Sequence, residues 1–430
     1  MKPIRAGLLG LGTVGTGVVR IVEGHQEDLQ RQIGSPVEIR KILVKDKTKA
    51  REIPVDPAKL TEDPWEIIHD PDIDILIEVM GGVEPTKEYL LAALEGGKQV
   101  VTANKDLMAL HGQEIMAKAR DRGCDVFFEA SVAGGIPIIR TLIESFSSDR
   151  IKKIMGIVNG TTNYILTKMS QEGTAYETAL REAQALGYAE ADPTSDVDGL
   201  DAARKMAILA TLGFRTPIAL EDVDVRGIRA VTQEDIRLAR QLGYELKLLG
   251  IAERDDGDQI SVSVQPTMIR QSHPIASVNG VFNAVYVYGE AVGETMFYGP
   301  GAGQLPTATS VVADLVAAAK NLKLGVSGKS AVAPYREKKL KTDEQIASKF
   351  FLLLNVEDRA GVLAQIARVF ADFGVSIESV MQPSSGDSSG CADLIIITHR
   401  AGKAAFDAVT GRIESLEVVR KVKSAYRVEG

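Results

Sequence analysis

Asp201 and Lys205 stand four residues apart in the run LDAARKMAILAT. A spacing of four puts both on one helix face. Continuing that face reaches Ile208, Leu209 and Leu212 rather than polar residues, and most other positions are alanine, leucine or methionine. A helix that is apolar nearly all round is normally buried. On a surface, such a pair contributes only ~0.2–0.5 kcal/mol. In an apolar setting the lysine must be paired, and its hold on the proton becomes tunable. A lysine tuned in this way can move a proton near neutral pH. Lys205 therefore reads as a proton donor, with Asp201 as its partner or as a substrate ligand. The preceding stretch, GYAEADPTSDVDG, crowds Glu190, Asp192, Asp196 and Asp198 around Pro193. Asp196 or Asp198 is expected to cap the helix, and Gly213 to end it.

The elements that position this stretch begin at the N-terminus. An apolar strand over residues 4–9 runs into Gly10-Leu11-Gly12-Thr13-Val14-Gly15 and then a helical pattern. Strand, G-x-G-x-x-G and helix, in that order, suit the pyrophosphate of a dinucleotide at a helix N-terminus. A second strand, 37–44, ends in Lys45-Asp46-Lys47. An acid there takes the ribose hydroxyls of NAD, and a base favours the extra phosphate of NADP. With both present, the reading leans to NADP and leaves dual use open. Further strands over 73–79 and 99–102 follow, the latter running into Ala103-Asn104-Lys105-Asp106. Ligands of open α/β sheets gather at the carboxyl ends of strands. Lys105 is either a solvated loop lysine or a group facing the nicotinamide. A last strand, 125–129, leads into the small-residue turn Ala130–Gly135. With Glu129, its carbonyls either hold a hard cation or only carry the chain between domains.

Residues 151–158 read as a strand followed by a polar turn, 159–163, and helices near 164–170 and 176–186. A helix near 231–242 and strands near 246–252, 259–265, 282–288 and 294–298 follow. The glycine loop 299–303 then precedes a helix over 306–322, so Gly303 is either a second cofactor contact or a bare turn. Residues 323–348 form a Lys-rich linker. From about 349 the pattern is β-α-β-β-α-β, a ferredoxin-like module. The expected division is a Rossmann-type dinucleotide domain over 1–130, an α/β substrate and dimerisation domain over 131–322, the linker, and the module over 349–430.

At 430 residues, 45% apolar and 25% charged, the composition is that of an ordinary soluble protein. A net charge of −8 gives no reason to expect nucleic acid or an anionic membrane. Two cysteines, Cys124 and Cys391, make neither a disulfide framework nor a metal cluster and suit a reducing cytoplasm. The N-terminal stretch is expected not to be a signal peptide, since it has regular glycines and no A-x-A-like site. No apolar run reaches the ~18 residues of a membrane span.

With these residues laid out, the chain resembles bacterial homoserine dehydrogenase with a C-terminal ACT domain. The resemblance rests on GLGTVG, TANK (102–105), EASVAGGIP (129–137), NGTTNYIL (159–166), GYAEADPTSDVDGLDAARK (187–205) and GPGAGQLPTATSVVAD (299–314). It implies NAD(P)H-dependent reduction of L-aspartate 4-semialdehyde to L-homoserine, on the route to threonine and methionine. Lys205 is then the acid/base, Lys105 a second active-site lysine and Asp201 a member of the same site. Glu190 becomes a ligand of the substrate ammonium, with Gly187, Tyr188 and Asp196 beside it. The cofactor is expected on the residues Gly10 to Gly15, Lys45, Thr102, Lys105 and Gly303. A structural sodium ion falls to Glu129 and the carbonyls of Val132, Gly134 and Ile136. ACT-like modules pair side by side and bind amino acids near a turn, here Asp358-Arg359-Ala360-Gly361, with threonine as the expected effector. A homodimer or tetramer is implied. One departure is Lys45-Asp46, where many relatives carry Arg-Asp.

Two other readings compete. A semialdehyde dehydrogenase working through a thioester needs a nucleophilic cysteine, and neither Cys124 nor Cys391 sits in a plausible site. A sensor that only binds a dinucleotide and an amino acid has no use for a charged pair in an apolar helix.

Overall fold

The computed structural model describes residues 2–328, 334–383 and 390–430. Six parallel strands, β1 (Ile4–Leu9), β2 (Val37–Leu43), β3 (Leu60–Thr61), β4 (Ile75–Glu78), β5 (Gln99–Thr102) and β6 (Val126–Phe127), form one sheet in the order β3-β2-β1-β4-β5-β6. A parallel sheet is covered on both faces, so its central strands are continuous apolar runs. Ile75, Leu76 and Ile77 accordingly have no exposed surface. The order turns round at β1 and β4, the place where such sheets bind dinucleotides.

The second sheet is larger. Strands β7 (Ile151–Ile157), β8 (Val223–Val225), β9 (Tyr244–Arg254), β10 (Ile260–Arg270), β11 (Phe282–Gly289) and β12 (Gly293–Pro300) belong to the middle of the chain. Strands β13 (Ala347–Glu357), β14 (Ile377–Met381), β15 (Cys391–Thr398), β16 (Ala401–Gly402) and β17 (Val419–Glu429) belong to the C-terminal module. With the helices Val362–Asp372 and Lys403–Glu414 they give the expected β-α-β-β-α-β order, plus the two-residue β16. The main path of the sheet runs β12-β11-β7-β9-β10-β17-β13-β15-β14. Its join is parallel: Thr267, Met268 and Ile269 lie opposite Arg427, Val428 and Glu429.

Several expectations change. The module is not separate, since its last strand extends the catalytic sheet. Both faces of that strand are fastened: Ser424 and Tyr426 donate hydroxyls to Asp235, and Arg427 pairs with Glu253 at 3.3 Å. Nor is the linker free. Its first two residues complete the Gln304–Leu324 helix, and the Ile260 amide donates to the Lys339 carbonyl while the Lys341 amide donates to the Ile260 carbonyl. Residues 329–333 of the linker and 384–389 of the C-terminal module lie outside the described residues. The Gln304–Leu324 helix, expected in the middle domain, packs into the core of the first: a Cβ on Gly17 would lie 2.6 Å from the Gln304 carbonyl oxygen.

Around the charged pair the local structure also departs from expectation. Lys105 is not on a loop; it begins the helix Lys105–Arg122, whose first turn is capped by the Asn104 side chain accepting from the Leu107 amide. The polar turn 159–163 is a cap and first helical turn as well: the Asn159 side chain accepts from the Thr162 amide, and the helix runs Gly160–Glu172. Neither Asp196 nor Asp198 caps the next helix. A short turn, Thr194–Val197, intervenes, and Gly199, at φ 83°, starts the helix Leu200–Phe214. That helix runs one residue past Gly213, to an Arg215 cap at φ 56°. Positive φ suits the glycine at its start. The last strand of the first sheet is shorter than expected because Glu129 already belongs to a 3-10 turn, Glu129–Ser131.

Candidate active site

Asp201 is the hub. One carboxylate oxygen accepts from Lys205 Nζ at 2.7 Å, and the other lies 3.2 Å from Lys105 Nζ. The first oxygen also accepts from Asn159 Nδ2 at 2.9 Å. Lys205 donates a second hydrogen bond, of 2.7 Å, to the Val158 carbonyl at the end of β7. The sequence thus brings a lysine of the first domain and a lysine of the second to one carboxylate. Burial works to raise the affinity of Asp201 for a proton, but the two ammonium groups more than offset it and hold its pKa at about 2. For Lys105, burial lowers the pKa, yet the nearby Asp201 and Asp106 leave it raised. Two ammonium groups held on one ionised carboxylate are fixed positive charge of the kind that stabilises charge developing on an oxygen.

Asn159 was not singled out from the sequence. Its one nitrogen donates to both Asp201 and, at 2.7 Å, Asp196. An asparagine two residues after a strand and three before a threonine amide is a standard helix cap, and that signal was available in NGTT. Asp196 is half-buried; burial and the Asp201 charge raise its pKa despite the hydrogen bond from Asn159. Gly187, Tyr188 and Glu190 lie on the exposed loop ahead of it. Thr161 donates to the Tyr188 carbonyl at 2.5 Å, and the Tyr188 ring packs on Tyr164. The Glu190 carboxylate has no hydrogen bond or ion pair among the described residues and is exposed on that loop.

The glycines of the fingerprint divide their work as a dinucleotide needs. Gly10 adopts φ 106°, and a Cβ on Gly15 would meet the Gly10 carbonyl oxygen at 2.1 Å. A Cβ on Gly12 would meet nothing within 4 Å. The first glycine makes the turn, the third allows close packing, and the middle one leaves open space where a pyrophosphate can approach. Leu11 is buried and Val14 partly so, while Thr13 opens the helix Thr13–Gly24. A substitution follows from this division. Gly12→Val should weaken NADPH binding by about tenfold or more while Tm stays within about 2 °C. Titration of NADPH fluorescence and a melting curve check it; unaltered affinity would make the loop an ordinary turn.

At the end of β2, Lys45 is exposed with no ion-pair partner among the described residues. The Asp46 carboxylate is turned inward on Thr48, accepting from its amide at 2.7 Å and its hydroxyl at 2.6 Å. Thr102 spends its hydroxyl on Glu78, at 2.5 Å, and accepts from the Asn104 amide, which leaves its carbonyl as the group free for a ligand. Gly303, at φ 127°, starts the helix that packs on Thr13–Gly24.

The turn after Glu129 carries one carboxylate and three carbonyls. The Glu129 oxygens accept from the Ile139 and Arg140 amides, the Gly134 carbonyl accepts from Ser310, and the Ile136 carbonyl accepts from the Ile138 amide. Each oxygen keeps a lone pair, so one carboxylate with these carbonyls is a donor set that fits a hard cation, with the buried Asp314 behind it accepting from the Glu129 amide and paired with Arg140. Among the described residues, no group of three or more His, Cys, Asp or Glu could hold a metal. In the C-terminal module, Asp358 accepts from the Gln382 side chain and Arg359 pairs with Glu357, with Gly361 at φ 89° opening the Val362–Asp372 helix.

A Rossmann-type sheet, a pyrophosphate-type glycine turn and a two-lysine site define an NAD(P)-dependent oxidoreductase. The homoserine dehydrogenase NAD-binding domain matches residues 10–129, the homoserine dehydrogenase domain residues 137–316, and the ACT domain residues 350–418. Homoserine dehydrogenase of Bacillus subtilis is 58% identical over 100% of this chain and 99% of its own. A homoserine dehydrogenase structure from Thiobacillus denitrificans superposes with a TM-score of 0.92 at 40% identity, covering 100% of this chain and 99% of that one. A hyperthermophilic archaeal homoserine dehydrogenase, solved in complex with NADPH, covers 75% of this chain and 98% of its own with a TM-score of 0.63 at 29% identity. The chain belongs to the homoserine dehydrogenase family. No helix among the described residues is long and apolar enough to cross a membrane.

Proposed function

We propose that the chain catalyses the reversible reduction of L-aspartate 4-semialdehyde to L-homoserine with NADPH. The observation that carries this reading is Asp201 bridging Lys105 and Lys205. When bound, the dinucleotide supplies the hydride that the aldehyde carbon takes up. An ammonium has three donors; Lys205 spends two, on Asp201 and Val158, and the third is left for the substrate oxygen. Lys205 hands a proton to that oxygen as it becomes an alkoxide. Lys105, whose proton is held more tightly than usual, supplies fixed positive charge from the cofactor side. Asp201 stays ionised and keeps both lysines in place. Glu190 and Asp196 receive the substrate ammonium, and the loop from Gly187 and Tyr188 closes over it. Lys45, with Asp46 turned away, favours NADPH over NADH. Gly10 to Gly15, the Thr102 carbonyl and Gly303 line the cofactor. Glu129 with the carbonyls of Val132, Gly134 and Ile136 would hold a sodium ion as a structural strut. The test is NADPH oxidation on addition of aspartate semialdehyde, with homoserine identified as product and NADH run in parallel. Oxidation without homoserine would overturn the assignment.

Regulation by threonine at Asp358–Gly361 is supported by the ACT domain and by its direct attachment to the catalytic sheet through β17. Because truncation would strip β10 of its neighbour, the test belongs in the full chain. Millimolar threonine should inhibit, and Asp358→Ala should abolish that inhibition without altering the threonine-free rate. Such an effect requires threonine to bind one global state better than another. Inhibition that survives Asp358→Ala would place the effector elsewhere.

A further inference from the structure

Beside the catalytic contact lies a second ion pair across the same domain boundary. Asp106 follows Lys105 in the first turn of the Lys105–Arg122 helix, and Arg204 lies three residues after Asp201 on the Leu200–Phe214 helix. The contacts Lys105–Asp201 and Asp106–Arg204 place these four groups where the two helices face each other. Arg204 Nε is 3.0 Å from the Asp106 carboxylate, and Arg204 Nη1 donates to Ser195 Oγ at 3.2 Å. The two cross-domain pairs have opposite polarity. On the first helix the order is cation then anion; on the second it is anion then cation. A slip of the helices in one direction would bring Lys105 toward Arg204, and in the other Asp106 toward Asp201, and like charges repel. Only one register therefore satisfies all four groups.

We propose that Asp106 and Arg204 are positioning residues, a two-part latch that sets the cofactor domain in register with the catalytic domain and so aims Lys105 at Asp201. The proposal rests on the hydride-transfer reading of the site. Lys105 reaches Asp201 only when the two domains are together, and no other ion pair joins these two helices among the described residues. Arg204 Nε is buried and, despite its short distance to Asp106, makes no aligned hydrogen bond. The contact is therefore poised to tighten with a small closing movement. Among the described residues Asp106 makes no side-chain hydrogen bond or ion pair with any group but Arg204, though its charge also acts on the neighbouring Lys105. A partly exposed ion pair adds little to global stability, but a small bias is enough to set the population of an aligned state.

The experiment compares the full-length wild type with Asp106→Asn, Arg204→Met and the double variant. Each single change should lower kcat for homoserine oxidation about tenfold, with NADPH Kd within about twofold and Tm within about 2 °C. The double variant should be no slower than the slower single one, because both remove the same contact. The charge-preserving Asp106→Glu and Arg204→Lys should keep most of the activity, and they report on the latch if a neutral variant fails to fold. Wild-type rates in both neutral variants, multiplied losses in the double variant, or Kd rising in step with the loss of kcat would each overturn the proposal. Small-angle scattering of the NADPH complex reads the latch without turnover: the radius of gyration should be smaller for wild type than for Asp106→Asn, and equal radii would refute it. A wild type that contracts yet fails to oxidise homoserine would refute the proposed reaction and leave the latch standing.

Discussion

Lys205→Ala lowers kcat for homoserine oxidation by ~10²–10⁴, the usual contribution of a positioned general acid or base. NADPH binding is unchanged, because the fingerprint loop lies in the other domain. The Lys205 side chain is only 13% exposed and is gripped by Asp201 and the end of β7. Water entering the space left by alanine lacks the fixed direction and the charge of the ammonium. Steady-state rates with saturating cofactor, beside a fluorescence titration of NADPH, check the expectation. A kcat within about tenfold of wild type would remove Lys205 from proton transfer.

Asp201→Asn acts on fold and activity together. Removing one partner of a buried ion pair typically costs 3–5 kcal/mol, and here the change leaves two ammonium groups facing each other. Urea unfolding at pH 7 should show a loss of about that size, along with a large fall in kcat as Lys205 loses its anchor. The pH dependence separates this from ordinary packing damage. The Asp201 carboxyl is depressed from 3.8 to about 2 in the folded protein. A depressed acid contributes stability that is fully present above the unfolded value and is lost as pH falls through the folded one. The wild type should therefore shed about 2 kcal/mol from this group between about pH 4 and pH 2. Asp201→Asn should lack that component. Equal acid limbs in the two proteins would mean that Asp201 is not held ionised by the lysines.

How far the sequence carried depended on the range of the interaction. The fingerprint turn, the continuous apolar strands of the first domain and the i,i+4 pair are local patterns, and each was readable from residue types alone. Lys105 was placed correctly near the strand end, yet its helix was missed because Leu107, Met108, Ile115 and Ala119 bury only a weak stripe interrupted by Gly112. Asn159 was hidden for a different reason. Its role is to join two aspartates, and nothing in NGTT names a partner some forty residues away. The largest surprise was β17: strand periodicity announces a strand, but not that its neighbour is β10 rather than another strand of its own module. No sequence pattern joins Asp106 to Arg204, because their contact exists only once the two helices are brought together.

Chemical rescue tests the central claim most directly. Lys205→Ala in the full chain, saturated with NADP and homoserine, would be assayed with increasing concentrations of small primary amines. If the missing group is an amine that takes the proton of the substrate hydroxyl in this direction and returns it in the other, activity rises with amine concentration and follows the basicity of the amine. Ammonium salts of matched ionic strength leave Lys105→Ala less responsive, because there the missing group is fixed charge at the cofactor side. An activity of Lys205→Ala that stays flat across all amines, with both ligands still bound, would contradict the assignment of Lys205 as the proton donor.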